Sequence, residues 1–538
     1  MTDSVMRDDP VTFEVIRGGL YGICEEMKAV MTRAAFSPLL SLSADLSCAL
    51  LDRDGDVVAQ GDDIPVHLGA MPFSARGILE RFPAEGWRPG DVVLANDPYS
   101  GGSHLPDMTM LTGIFGDGEV IGFAASRVHW PDIGGAAPGS SSVTDEIIKE
   151  GLRLPPVRIV HAGETDQGLF DVLFANVRVP RDRIGDFHAQ IGCNRRGVER
   201  VESLVTRYGA ATVRAVFKEA QDYSAARAAV LLDRLPGGVY SAAHHLDGDG
   251  YVEDHGNGPL VIAVTITSRD GTLTFDFAGT GAQAAGPINA PLAVTASACY
   301  YTVMAICGGE VPPNSGAYRA ARIEAPEGTL VNARHPAPVV AANTEMSTRL
   351  VDLLLDALAP ALGEDAVAGS YGCAGIWTIG GFDPLRGRRF VHCECVGGGM
   401  GASRRGPGLD GHRVHMGNTM NLPVEAVEAT LPVRIDEYAL IDSSGGAGAH
   451  RGGMGSRRIV RALADDVSFS LLFERAYHPA PGIAGGGPGR AARFLLEKPD
   501  ETLVLGSKTQ VGKMNAGDRV HIETAGGGGW GEPGADDR

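Results

Sequence analysis

"SHLPDMTMLTGIFGDGEVIGFAASRVHWPD", residues 103–132, carries the same His-x-Pro-Asp core twice, as His104/Asp107 and His129/Asp132. Between the two copies lie "MTMLTGIF" and "EVIGFAASRVH", both rich in strand-forming residues, separated by the turn "GDG" at 116–118. Such a pattern reads as an antiparallel hairpin. Placing Phe115 opposite Glu119 puts Asp107 across from Arg127, Leu105 across from His129 and Gly102 across from Asp132. Strands about 4.8 Å apart then bring both His-x-Pro-Asp units to one open end. The repeat describes two sides of one site.

Two imidazoles and two carboxylates at one strand edge suit a divalent transition ion such as zinc, manganese or iron. Asp45 immediately precedes another hairpin, "DLSCALLDRDGDVVAQ", and lies at a strand end as well. His67, in "IPVHLGAMP", reads as a structural histidine, with lining the pocket as the lesser alternative. Histidines and aspartates at strand ends often only cap loops, but two repeated pairs at one edge favour a site.

The rest of the chain sets the frame. With 538 residues, 44% hydrophobic and 21% charged, it can bury large cores. Its net charge of −19 repels phosphate backbones and anionic bilayers, so neither nucleic acid nor membrane is expected as a partner. The uncharged stretch 277–309 imitates a membrane span, but Pro287 and Pro291 break it, leaving a buried helix over 292–306. "MTDSVMRDDP" has no apolar run of the kind a secretory leader needs. The eight cysteines form no C-x-x-C pair and read as reduced and structural, so a cytoplasmic setting is expected. Cys393 and Cys395 alternate on one face of a strand and read as core filling.

Local patterns predict a first helix through Ile16, Leu20, Ile23 and Met27, a short helix at "PFSARGILERF", and two long amphipathic helices over about 185–234. A hairpin is expected around Arg269-Asp270-Gly271, and a helix capped by Asn343 after it. The whole reads as a mixed α/β chain in several layers, with antiparallel hairpins and glycine-rich loops. Pro236–Gly238 marks a boundary between a site-bearing region, 1–235, and a strand- and glycine-rich region, 236–538. Glycine clusters at 397–401, 444–455, 483–490 and 525–531 can form anion-binding nests or permit close packing. None matches a phosphate-binding loop, so ATP is not expected to bind here.

"GDVVLANDPYSGGSHLPD", "RVHWPDIGG", "MNLPVEAVE", "SGGAGAHRGGMGS" and "AGGGGWGEP" together resemble the hydantoinase B/oxoprolinase family over nearly the whole chain. The resemblance implies a metal held by Asp45, His104, Asp107 and His129, most simply zinc or manganese. It implies a hetero-oligomer with a hydantoinase A/oxoprolinase-type ATPase subunit, which takes up ATP and phosphorylates the substrate's carbonyl oxygen. This chain would then open a cyclic amide (a hydantoin, 5-oxoproline or another lactam) with metal-activated water. Asp132 is the proton acceptor expected in that scheme, and glycine-loop N–H groups would hold the phosphate-bearing oxygen. A subunit of an ATP-dependent ketone carboxylase, of acetone or acetophenone type, and a non-catalytic scaffold for the ATPase are the alternatives.

Overall fold

The computed structural model describes residues 4–251 and 260–534. Around the hairpin it forms β1 (Leu46–Asp52), β2 (Val57–Gln60), β3 (Val92–Ala95), β4 (Asp107–Gly116), β5 (Glu119–His129), β6 (Val157–His161) and β7 (Glu164–Thr165). These make one sheet in the order β2-β1-β5-β4-β3-β6-β7, with every neighbouring pair antiparallel.

The hairpin register differs from the sequence reading. Phe115 faces Val120, and Asp107 faces His129 rather than Arg127. Two features shift it. The loop is the two residues Asp117-Gly118, both at positive φ (53° and 84°), the geometry that suits the right-handed strand twist. A bulge then leaves Ile121 without a partner, since Ile114 faces Gly122 while Phe115 faces Val120.

Helices cover both faces of this sheet. The Pro10–Ala34 helix buries Phe13, Ile16, Leu20, Ile23, Met27 and Met31 and packs on the Pro180–Tyr208 helix, which lies against β4 and β5. Gln190 and Asn194 of the latter donate to the β4 carbonyls of Met108 and Met110, at 2.9 and 3.0 Å. On the other face the Pro65–Arg81 helix packs against Leu292–Ile306, the helix expected from the uncharged stretch. Among the described residues, no helix is long and apolar enough to cross a membrane.

Among the described residues three further sheets follow, and the mixed α/β class holds. One includes the expected hairpin of Val261–Arg269 with Thr272–Asp276. The others contain Ile376–Asp383 with Arg388–Cys395, and Val433–Leu440 with Ser456–Ala462. One hydrophobic core reaches from Phe13 to Leu358 and takes in Met416 and Leu472; a second reaches from Tyr371 to Ala525.

The glycine clusters form neither strands nor open nests. They run as extended segments that hydrogen-bond to one another: Gly446 N–H to Gly527 O at 2.8 Å, Gly527 N–H to Gly453 O at 2.9 Å, Gly453 N–H to Met400 O at 2.8 Å and Gly529 N–H to Gly487 O at 2.9 Å. A β-carbon on Gly527 would stand 2.0 Å from Met400 O, and one on Gly452 would stand 1.9 Å from Gly527 O. Only glycine allows that approach. These N–H groups are bonded to backbone carbonyls, which is the close packing that the sequence offered as one of two readings of the clusters.

Candidate functional site

The site is built where three segments meet at the open end of the hairpin. Asp107 and His129 are directly opposed in the β4–β5 ladder. The tight turn before β4, closed by Asp107 N–H to His104 O at 3.1 Å, swings His104 back over the strand end. His129 N–H donates to Asp45 O at 3.2 Å, bringing the residue that precedes β1 alongside. Ala44 takes a positive φ of 54° to make that entry.

His104, Asp107 and His129 place their ligand atoms within 4.8 Å of one another, a buried group able to hold a metal ion. Asp107 Oδ1 lies 3.0 Å from His104 Nε2 and 3.4 Å from His129 Nδ1. Its other oxygen, Oδ2, accepts from Ser103 Oγ at 2.6 Å and Asn343 Nδ2 at 2.5 Å, and stands 3.2 Å from His67 Nε2. The carboxylate is thus loaded with donors on one oxygen and turned toward two imidazoles with the other.

The tautomers sharpen this. His104 Nδ1 is 2.8 Å from the Val340 carbonyl, which can only accept, so Nδ1 carries a proton. In neutral His104, Nε2 is then a lone pair facing a carboxylate oxygen at 3.0 Å. Such a pair needs a positive charge, either an extra proton or a cation. Burial works against protonation of His104, yet Asp107 outweighs it and the imidazole's pKa is raised. Burial likewise opposes ionisation of Asp107, while His104 and His67 hold its carboxyl well below the usual range. His129 Nε2 is buried without a hydrogen-bond partner. An orphaned ring nitrogen, two further imidazoles and a carboxylate suit a borderline divalent ion, and the Nδ1–carbonyl bond of His104 is the usual support for a metal-binding histidine.

Asp45, His104 and His129, named from the sequence, line one cavity, and Asp107 lies between the two histidines. Asp45 Oδ1 stands 3.9 Å from His67 Nε2, outside the tight three-residue group. Asp132 is not brought to the cavity. Its Oδ1 accepts from Arg178 Nη1 at 3.1 Å and Gly134 N–H at 3.3 Å, while Oδ2 accepts from the N–H groups of Arg178 and Val179. Both oxygens are thus committed, Oδ1 to Gly134 and Arg178 and Oδ2 to the Arg178-Val179 backbone that leads into the Pro180–Tyr208 helix.

Arg127 and Asn343 escaped the sequence reading as residues of the site, and His67 takes the lesser of its two readings. His67 lies inside a helix that begins at Pro65, whereas the pattern suggested a start at Pro72; Pro72 is internal. Arg127, fully buried, fixes that helix by donating to His67 O at 3.0 Å and Ser74 Oγ at 2.5 Å. Asn343 does not cap the following helix, which starts at Met346; its amide reaches Asp107. Thr344, Cys395, Arg413 and Thr419 line the same cavity. Burial pushes the Cys395 thiol up to about 11.

A sequence profile described as Hydantoinase B/oxoprolinase matches residues 9–533. The uncharacterized protein MJ0963 of Methanocaldococcus jannaschii is 36% identical, over 98% of this chain and 91% of its own length. A putative D-/L-hydantoinase subunit of a Pseudomonas species, the B-type one, is 32% identical, over 98% and 90%. 5-Oxoprolinase 1 of Arabidopsis thaliana is 32% identical over 97% of this chain, which spans 42% of that longer protein. Among solved structures, the ATP-dependent caprolactamase from Pseudomonas jessenii superposes with a TM-score of 0.89 at 29% identity, covering 97% of this chain and 91% of that one.

Proposed function

Because this chain belongs to the hydantoinase B/oxoprolinase family, we propose that it is the ring-opening subunit of an ATP-dependent cyclic-amide hydrolase, active only with an ATPase partner. The convergence of His104, Asp107 and His129 on one buried point, in a cavity also lined by Asp45, carries the reading. Relatives named as a hydantoinase subunit and as an ATP-dependent caprolactamase support the partner and the substrate class.

An unstrained lactam resists hydrolysis because the nitrogen lone pair is delocalised into the carbonyl. In the proposed reaction the partner transfers the terminal phosphoryl group of ATP to the carbonyl oxygen. Water adds to the carbon that bears the phosphorylated oxygen and gives up a proton. The C–N bond breaks as nitrogen takes a proton, and a second water hydrolyses the acyl phosphate to carboxylate and inorganic phosphate.

Asp107 Oδ1, His104 Nε2 and a ring nitrogen of His129 would hold the ion, zinc or manganese, with Asp45 completing the set. A divalent ion there supplies Lewis acidity, which makes water a nucleophile near neutral pH. Ser103, Asn343 and His67 engage Asp107 Oδ2 and so keep Oδ1 aimed inward. Val340 O fixes the His104 ring. Asp132 holds the loop behind His129 through Arg178.

The test is to purify the chain together with an A-type ATPase subunit and to follow ATP-dependent opening of hydantoin, 5-oxoproline and simple lactams. Turnover by the pair and by neither chain alone is expected. Bicarbonate-dependent consumption of acetone or acetophenone, with no ring opening, would overturn the reading in favour of a carboxylase subunit.

A further inference from the structure

Arg413 lines the same cavity as Asp45, His104 and His129. Its guanidinium makes one hydrogen bond to protein, from Nη1 to the Ala374 carbonyl, and its Nε is shut away from solvent without a partner. Arg413 is half-buried, whereas the fully buried arginines each have a carboxylate or a set of neutral acceptors. Arg183 meets Asp186 at 3.0 Å, Arg349 meets Glu474 at 3.6 Å, Arg458 meets Glu394 at 2.5 Å and Arg475 meets Asp352 at 2.6 Å. Arg127, without a carboxylate, donates to Thr109, His67 and Ser74. Among the described residues, no carboxylate forms an ion pair with Arg413.

A half-buried guanidinium with no carboxylate at ion-pair distance keeps donors free for an anionic ligand. Burial disfavours the charge on Arg413, and the Asp45 carboxylate nearby favours it without pairing directly with it. A guanidinium is also a planar fork matched to two oxygens of one anionic group. Gly417 leaves the fork room, since a β-carbon there would come within 2.8 Å of Arg413 Nη2. The hydroxyl-bearing side chains of Thr344, Thr348 and Thr419 line the same cavity.

We infer that Arg413 is a specificity residue that binds an anionic oxygen group of the substrate while the reacting carbonyl lies toward His104, Asp107 and His129. This rests on the ring-opening reading above. The anionic group has two possible sources, a carboxylate carried on the substrate ring or the phosphoryl group added by the partner, and both present oxygens to the same fork.

The experiment is calorimetric titration of the metal-loaded chain with 5-oxoproline, with 2-pyrrolidinone (the same ring lacking the carboxylate) and with inorganic phosphate. It is run on the wild type, Arg413→Gln, Arg413→Lys and Gly417→Ala. An anion should bind wild type and lose about tenfold or more in Arg413→Gln, as loss of a charge-assisted pair does, with partial recovery in Arg413→Lys. Gly417→Ala, which crowds the fork without changing the net charge, should also weaken anion binding. Binding of 2-pyrrolidinone should be the same in all four proteins. Response of 5-oxoproline assigns the fork to a substrate carboxylate; response of phosphate alone assigns it to the phosphoryl group. Anion affinities unchanged in Arg413→Gln and in Gly417→Ala would overturn the inference. Failure of the ring-opening reading shows separately, as absence of turnover with the partner while the anion titrations still respond to Arg413.

Discussion

Asp107 pairs across the hairpin with His129, and its Oδ1 stands 3.4 Å from His129 Nδ1 while its Oδ2 takes hydrogen bonds from Ser103 and Asn343. The division of labour between the two oxygens, one held by donors and the other turned to the imidazoles, is what the proposed metal centre asks of Asp107.

Metal content follows from that geometry. About one divalent ion per chain is expected by elemental analysis, since the group offers most of a first coordination shell. His104→Ala and His129→Ala should each lose it. Asn343→Ala, which removes only a donor to Asp107, should keep the ion but bind it about 10- to 100-fold more weakly, as loss of an orienting partner does. Full metal retention in both histidine variants would remove the proposed centre.

Asp132→Asn separates support from chemistry. An asparagine oxygen can still accept from the backbone, but the ion pair with Arg178 is lost along with an acceptor for one of the neighbouring N–H groups. A loss of about 1–3 kcal/mol in denaturant unfolding is expected, the usual cost of breaking a buried charged hydrogen bond. The metal and the turnover per folded molecule should survive. A folded, metal-loaded Asp132→Asn protein with turnover down on the order of 10²-fold would instead mark Asp132 as the proton acceptor.

Two buried carboxyls give stability a sign with pH. Burial pushes Glu150 and Glu345 each up to about 8. A carboxyl whose folded pKa exceeds its unfolded value binds more protons when folded, so stability falls as pH rises between the two values. The window runs from the ordinary glutamate value of 4.5 to about 8, and above it the loss is complete. Glu150 Oε1 accepts from the Val339 and Val340 N–H groups at 2.8 and 2.9 Å. Glu150→Gln keeps that acceptor without the titration and should flatten the decline in melting temperature over the window. An unchanged pH profile in Glu150→Gln would show that Glu150 is not responsible.

The glycine layer makes a contrast. Gly527→Ala puts a methyl 2.0 Å from Met400 O, within backbone that cannot move aside without breaking its neighbours' hydrogen bonds, and should abolish soluble folded protein. Gly18→Ala, in the Pro10–Ala34 helix with nothing within 4 Å of the added carbon, should be tolerated or stabilise by about 0.5–1 kcal/mol. Expression yield and thermal unfolding of the two variants decide it.

Hairpins and helices are legible because their signals are local. Asp54-Gly55 and Asp270-Gly271 close the hairpins their sequences announce, and the uncharged stretch folds as Leu292–Ile306. The repeated His-x-Pro-Asp units bring His104, Asp107 and His129 to one edge although the register differs, because a shift of one or two residues still leaves the strand ends together. The bulge at Ile121 has no counterpart in composition: it is settled by how β5 packs between β1 and β4. Asp132 departs from the expected site because a repeated motif says nothing about where each carboxylate finds its donors.

By itself, the sequence determined the strand and helix types, the hairpin that carries the site and the residue classes able to bind a divalent ion, since these depend on periodicity, turn chemistry and ligand type within short stretches. Tertiary structure alone decided that His67 and Asn343 would load one oxygen of Asp107, that Asp132 would turn to Arg178, and that Arg413 would line the same cavity as His104 and His129. Asn343 and Asp107 are 236 positions apart, and contacts at that separation are fixed only when separate layers pack and every buried donor must find an acceptor.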